Sequence, residues 1–224
     1  GTLGADGGIM VTASHNPAPW NGFKICAADA MPIAGSDDPC ASLTAVRDCV
    51  MTKSFAAPAA QRGSRSHRDV SADYAAALKQ YVQWDNRPRI VADFANAVGS
   101  IEMAGIADCF ELVPMYAELD GTFPNHEANP LHLDTLDDLC ARVPAEGALF
   151  GVAFDGDADR CGFVDEKGEI VPMDICMALL AGCILADTPG PVVYDLRSRR
   201  SVPDYIRQCG GTPIMGRVGH SYMK

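Results

Sequence analysis

Residues 89–94, RIVADF, place the apolar run Ile90, Val91 and Ala92 directly before an acid, Asp93. A short apolar run of this kind suits a strand covered on both faces. The pattern returns at residues 191–196, PVVYDL, where the run closes in Asp195. Each is followed by a polar loop, a helical stretch and another strand, an internal echo that points to repeated α/β units. Strands alternating with helices favour largely parallel sheets sandwiched by helices.

SADYAAALKQYVQW (71–84) reads as a helix before the first of these strands. After it come a Gly-containing loop at Asn96–Ser100, a short helix, and a strand at FELVPM (110–115). A turn-rich loop, DGTFPNHEANP (120–130), leads to a helix around Leu133–Val143 and to the apolar strand ALFGVAF (148–154). Upstream, residues 8–13 and 22–27 read as strands flanking a loop at Ser14. SDDPCASLTAVRDCV (36–50) has cap residues at Ser36–Asp38 and Pro39 near a first turn. Lys53–Arg68 is polar, aperiodic and rich in Ala, Pro and Gly, and reads as a linker. The longest apolar run, Ile175–Ala186, is too short to span a bilayer and reads as a buried helix.

The chain of 224 residues is 48% hydrophobic and 21% charged, enough for a substantial core. A formal net charge of −11 argues against nucleic acid or an anionic membrane as partner. Nine cysteines, without a C-x-x-C pair, fit reduced and mostly buried thiols in a cytoplasmic protein. No signal peptide is evident, and oligomeric state is not legible. The chain stops at Lys224 in mid-pattern, and we expect it to be a piece of a longer protein.

Two stretches carry chemistry. GIMVTASHNPAPWNGFKI (8–25) runs an apolar strand into Ser14 and His15 and then an Asn-Pro turn. Adjacency in the chain argues against a hydrolase dyad, in which the base arrives from elsewhere in the fold. FDGDADRCG (154–162) alternates Asp155, Asp157 and Asp159 after a strand. Residues two apart in extended chain share a side, so three carboxylates converge, and an all-oxygen set suits Mg²⁺ or Ca²⁺ rather than zinc. A helix–loop–helix calcium loop starting at Asp155 would put Glu166 at position twelve, but Arg160 stands where that loop needs glycine. A hard cation beside Ser14 would make its hydroxyl competent on phosphorus, with Arg160 and Lys24 as cations for phosphoryl oxygens.

The pairing of TASHNP and NGFK with DGDADR, DGTFPNHEANPL and RVGHSYMK resembles the α-D-phosphohexomutases, most closely their bacterial phosphomannomutase/phosphoglucomutase branch. The resemblance implies repeated α/β domains of the phosphohexomutase type, with mixed, mostly parallel sheets, incomplete here at both ends. Residues 1–66 would be the end of a first domain, 67–170 a second and 171–224 the start of a third. It implies interconversion of hexose 1- and 6-phosphates, of mannose or glucose, through a phosphoserine and a hexose 1,6-bisphosphate. Ser14 would be the phosphoserine. Asp155, Asp157 and Asp159, with Ser14, would hold Mg²⁺. His15 and Lys24 lie beside the serine, Lys24 as a proton-transfer group, and Arg160 contacts the phosphoserine region. Arg197, where some members carry lysine, and His220 match sugar- or phosphate-contacting positions. The partners implied are small-molecule sugar phosphates, and the chain alone is expected to be inactive.

Two other readings stay open: a metal-dependent phosphatase with Asp155 as nucleophile and Asp157 as acid, and a non-catalytic Ca²⁺- or Mg²⁺-binding module. His126 reads as a structural or interdomain loop residue, and His67 and His132 as surface residues. Arg199 and Arg200 read as a solvated helix start.

Overall fold

The computed structural model describes residues 3–33 and 42–219. The chain divides into two compact units, one of Gly1–Val11, Phe23–Arg68 and Gly216–Lys224, the other of Thr12–Gly22 and Asp69–Met215.

In the first unit, β1 (Gly7–Val11) pairs antiparallel with β2 (Phe23–Ala27), with Val11 opposite Phe23 and Met10 opposite Lys24. Helix α1 (Leu43–Thr52) follows, its first turn capped by Ser42, whose side chain accepts the Ala45 amide. The caps expected at Ser36–Asp38, and Pro39, lie outside the described residues. Lys53 ends α1 in the left-handed region, and residues 53–68 continue exposed and without regular structure.

The second unit begins with α2 (Ser71–Lys79). The helix expected to reach residue 84 stops short. Trp84 turns back to donate its indole N–H to the Cys109 carbonyl at 3.2 Å and to tilt against Phe110. Pro88, just beyond, could not have continued a helix. Then come β3 (Arg89–Asp93), α3 (Gly99–Ala104), β4 (Glu111–Met115), α4 (Asp137–Ala145), β5 (Phe150–Phe154), β6 (Cys161–Asp165) and β7 (Ile170–Val171). These strands form one sheet in the order β4-β3-β5-β6-β7. The sheet is mixed: β3 runs parallel to β4 and β5, whereas β6 and β7 join antiparallel. The α/β architecture agrees with the sequence reading, but that reading had no strands at β6 and β7. CGFVD and IV are short and half-buried, without the apolar run that marks β3.

β3 is central, and its residues Ile90–Asp93 are all buried. On one face Val91, Ala153 and Val164 pack with Leu136, Leu139 and Val143 at and before α4. On the other, Ile90, Ala92 and Val152 pack with Phe94, Met103 and Phe110. Gly151 lets α4 lie close, since a Cβ there would stand 2.5 Å from Val143 Cγ2.

The remaining elements are α5 (Met173–Asp187), β8 (Pro191–Asp195), α6 (Ser201–Gln208) and β9 (Thr212–Gly216), with β8 and β9 paired. The echo between β3 and β8 has a physical form. Asp93 Oδ1 accepts the Ala95 amide at 2.9 Å, and Asp195 Oδ1 accepts the Arg197 amide at 2.8 Å, the same Asp-based turn at each strand end. α5 corrects the expectation of a buried helix. Ala178, Ala181 and Leu185 pack on Val202 and Ile206 of α6, while Leu179, Leu180 and Ile184 are exposed. No helix among the described residues is long and apolar enough to cross a membrane. The described cysteines are free thiols, but only Cys176 is buried and Cys183 is exposed, so the expectation of mostly buried thiols does not hold.

Leu139 is fully buried beneath the sheet, whereas Leu179 is more than half exposed on α5. Leu139→Ala is expected to cost about 2–5 kcal/mol, and Leu179→Ala no more than about 0.5 kcal/mol, as read by urea denaturation.

Candidate active site

The loop after β1 is built by its own hydroxyls and amides. Thr12 Oγ1 accepts the Ser14 amide at 2.8 Å, and the Asn16 amide and side chain both donate to the Ala13 carbonyl. The Thr12 amide closes the loop onto the Gly22 carbonyl at 3.0 Å. Ser14 is held at φ +55°, in the left-handed region, where a non-glycine residue costs roughly 1–2 kcal/mol. Strain of this kind is retained where the surroundings over-determine it.

The acidic residues occupy the connection from β5 to β6. Asp155 is fully buried and Asp157 nearly so, while Asp159 is exposed. The convergence does not arise from strand alternation, as the sequence pattern suggested. Residues 155–160 form a tight turn instead, with Ala158 at φ +56°. The Ala158 amide donates to the Asp155 carbonyl at 3.0 Å, and the Arg160 amide donates to Asp155 Oδ1 at 3.0 Å. One carboxylate oxygen from each of the three aspartates lies within 4.8 Å of the others. β6 runs through the segment from Asp155 to Glu166, and strands flank the turn, so a helix–loop–helix calcium loop is excluded.

The two loops meet. Ser14 Oγ donates to Asp155 Oδ2 at 3.3 Å, and Thr12 Oγ1 donates to Asp157 Oδ2 at 2.8 Å. Gly156 makes the approach possible: a Cβ there would fall 2.1 Å from the Ser14 carbonyl oxygen. Its amide donates to the Ala128 carbonyl at 3.2 Å, which ties in the 120–130 loop. Burial raises the Asp155 carboxyl above its ordinary range, the charges of Asp159 and Asp157 adding to this and the Arg160 amide opposing it. A buried carboxylate crowded by two others is a site that a hard cation satisfies, and the all-oxygen donor set fits Mg²⁺ or Ca²⁺.

His15 Nδ1 lies 3.1 Å from Ser14 Oγ, a contact between chain neighbours. Arg160 leans toward Asp159, with Nε 3.9 Å from Oδ1. Lys24 sits half-buried on β2, in the first unit. Arg197 is exposed after β8 and held by Asp195 Oδ2 at 2.6 Å. His220 lies outside the described residues. Arg199 is paired with Asp174 at the start of α5. Thr12, Gly156 and Ala128 were missed by the sequence reading. Thr12 alone was detectable, since a threonine two residues before a turn serine readily accepts that serine's amide.

Residues 1–40 match the family model "Phosphoglucomutase/phosphomannomutase, alpha/beta/alpha domain I", and residues 72–168 match that of domain II. The chain belongs to the phosphoglucomutase/phosphomannomutase family. A phosphomannomutase/phosphoglucomutase of Pseudomonas syringae pv. tomato is 33% identical over 97% of this chain and 45% of its own length. A protein of Xanthomonas campestris named "Phosphohexose mutases" is 36% identical over 99% of this chain and 50% of its own. The crystal structure of a phosphoglucomutase/phosphomannomutase family protein from Burkholderia thailandensis superposes with a TM-score of 0.89 at 31% identity, covering 98% of this chain and 46% of that one. The chain thus spans about half the length of the curated relatives it matches.

In this member of the family, Gly156→Ala must push the Ser14 loop away and is expected to cost about 1–3 kcal/mol. Gly121→Ala, whose Cβ would meet nothing within 4 Å, should be close to neutral. Equal denaturation midpoints for the two variants would contradict the close approach of the loops.

Proposed function

We propose that the protein carrying this chain is a phosphohexomutase that interconverts hexose 1- and 6-phosphates, of glucose or mannose, through a phosphoserine at Ser14 and a hexose 1,6-bisphosphate. The observation that carries the reading is Ser14 Oγ, 3.3 Å from the buried Asp155 carboxylate and presented on a strained turn beside three converging acids. The mutase names of relatives that span most of this chain support it.

Asp155, Asp157 and Asp159 would hold Mg²⁺, beside Ser14 or the phosphate it carries. When bound, such an ion neutralises phosphoryl oxygens and stabilises an alkoxide leaving group. The chain's own groups do the rest. Thr12 and Asn16 fix the turn that presents the Ser14 hydroxyl. Asp155 Oδ2 and His15 Nδ1 each stand where a proton at Ser14 Oγ can be held or received. In the forward half-reaction the P–O bond to Ser14 breaks, a P–O bond to the sugar hydroxyl forms, and that hydroxyl's proton passes to a base. In the second half-reaction the P–O bond at the other sugar position breaks, a P–O bond to Ser14 forms, and the serine's proton passes through a base to the departing sugar oxygen. Phosphoryl contact by Arg160, proton transfer by Lys24, and sugar-phosphate contact by Arg197 and His220 belong to this proposal through the motifs that carry them. So does the division at 66/67 and 170/171, supported by matches to domains I and II on either side of the first boundary.

The protein carrying this sequence, incubated with Mg²⁺ and glucose 1,6-bisphosphate, is expected to take acid-stable phosphate on the Ser14 peptide. Ser14→Ala should abolish that labelling and lower turnover by roughly three orders of magnitude or more, the scale on which loss of a covalent nucleophile is felt. Hydroxylamine-sensitive phosphate on Asp155 would favour the phosphatase reading instead. In Asp157→Asn the Mg²⁺ requirement should rise roughly tenfold or more, read as activity against Mg²⁺ concentration; an unchanged requirement would remove Asp157 from the site.

A further inference from the structure

We propose that His126 is a positioning residue for the acidic loop: as an imidazolium it clasps the 120–130 loop to the end of β3, and through the Ala128 carbonyl it fixes the Gly156 amide between Asp155 and Asp157. The inference rests on the reading of those aspartates as a cation site.

Both ring nitrogens of His126 face acceptors. Nδ1 lies 2.8 Å from the Glu127 carbonyl oxygen, and Nε2 lies 2.9 Å from Asp93 Oδ2. A carbonyl has no hydrogen to give, so Nδ1 carries one. Asp93 is fully buried, its Oδ1 already accepts the Ala95 amide, and a cation from Nε2 offsets the charge it brings inside. A ring that donates from both nitrogens is a cation.

The other groups around the ring agree. Tyr116, at the end of β4, packs edge-on with ring centroids 5.4 Å apart. Its hydroxyl donates to Asp138 Oδ2 of α4 at 2.6 Å, and that bond, with burial, pushes the tyrosine up to about 12, so it stays neutral. Asp138 adds a second negative charge near the ring. The Glu127 carboxylate is engaged by His132. The hydrogen bond to Asp93 holds His126 above its ordinary value, against the opposing effect of burial.

The clasp reaches the acidic loop along the chain. Asn125 Nδ2 donates to Asn96 Oδ1 at 2.7 Å, which pins the same loop a second time. Two residues after His126, the buried Ala128 accepts the Gly156 amide. Gly156 has two metal-site aspartates as its chain neighbours and the Ser14 carbonyl against its Cα. Outer partners that orient ligands in this way typically change metal affinity 10–100-fold.

The sign of the pH dependence is set by the raised value of His126. Its contribution is fully present below the unfolded value near 6.5 and is lost as pH rises through the higher folded value. Protonation of the aspartates weakens cation binding in the opposite direction, as pH falls, so the two effects separate.

The test uses the protein carrying this chain, without metal and then with Mg²⁺ alone. Nitrogen-detected NMR should find both His126 ring nitrogens largely protonated at pH 6.5, where an unperturbed histidine is half neutral. Protection of the Gly156 amide against hydrogen exchange, taken relative to its intrinsic rate at each pH, should fall about tenfold once His126 is neutralised, or in His126→Gln. By calorimetry, wild-type Mg²⁺ affinity should fall about tenfold as pH rises through the His126 titration, whereas His126→Gln should be weak and flat across that range. A neutral ring at pH 6.5, or Gly156 exchange that ignores the titration, overturns the inference. So does Mg²⁺ affinity that is unchanged by both the titration and the variant. The wild-type arms decide the matter if the variant does not fold. Failure to bind Mg²⁺ at all would sink the cation-site reading, while the NMR and exchange arms still decide the clasp.

Discussion

Three carboxylates with oxygens within 4.8 Å of one another repel, and the two deepest, Asp155 and Asp157, are screened least. At that separation and an effective dielectric near 20, this pair alone opposes itself by roughly 3 kcal/mol. The second unit is organised around tolerating that repulsion. Asp155 receives the Arg160 amide and the Ser14 hydroxyl, and Asp157 receives the Thr12 hydroxyl. The donors come from two loops far apart in sequence, so the same charge that needs stabilising also draws Ser14 to it.

The backbone records the cost of this arrangement. Ser14 and Ala158 take left-handed conformations at the meeting point, and Ala95, Asn96, Tyr116 and Phe123 do so near the ends of β3 and β4 or in the loop that follows. Hydrogen bonds keep several of these in place: the Asn96 amide donates to the Tyr116 carbonyl at 2.8 Å, and Asn96 Nδ2 donates to the Glu118 carbonyl at 2.9 Å. The fold supplies rigidity beneath them. β3 is buried on both faces, so the Asp93 turn that closes it is held by the core rather than by its own loop.

The division of labour between the strands follows from covering. β3 reads clearly in sequence because both faces are packed and every residue from Ile90 to Ala92 is apolar. β6 and β7 do not, because an antiparallel extension on the sheet's far side needs only alternate small or half-buried residues. α5 fails in the opposite sense. It is apolar around its whole circumference, which suggested burial, yet α6 covers one face only.

The α/β class, the Asp-terminated strand echo, and the two stretches that hold Ser14 and the three aspartates follow from the order of residues along the chain. Each rests on short-range pattern: apolar runs, turn residues, and like charges at fixed spacing. The family resemblance was legible for the same reason, since its motifs are contiguous. How the parts act together emerges only in the folded chain. The fold replaced strand alternation with a turn as the source of convergence and made Thr12 the link between the loops. It also required glycine at 156 and gave His126 two acceptors. Apart from the local turn and the Glu127 carbonyl beside His126, those facts depend on groups tens to more than a hundred residues apart coming into close contact, as Thr12 and Asp157 do at 2.8 Å. No local propensity encodes such a meeting; it follows from the packing of β3, β5 and their loops.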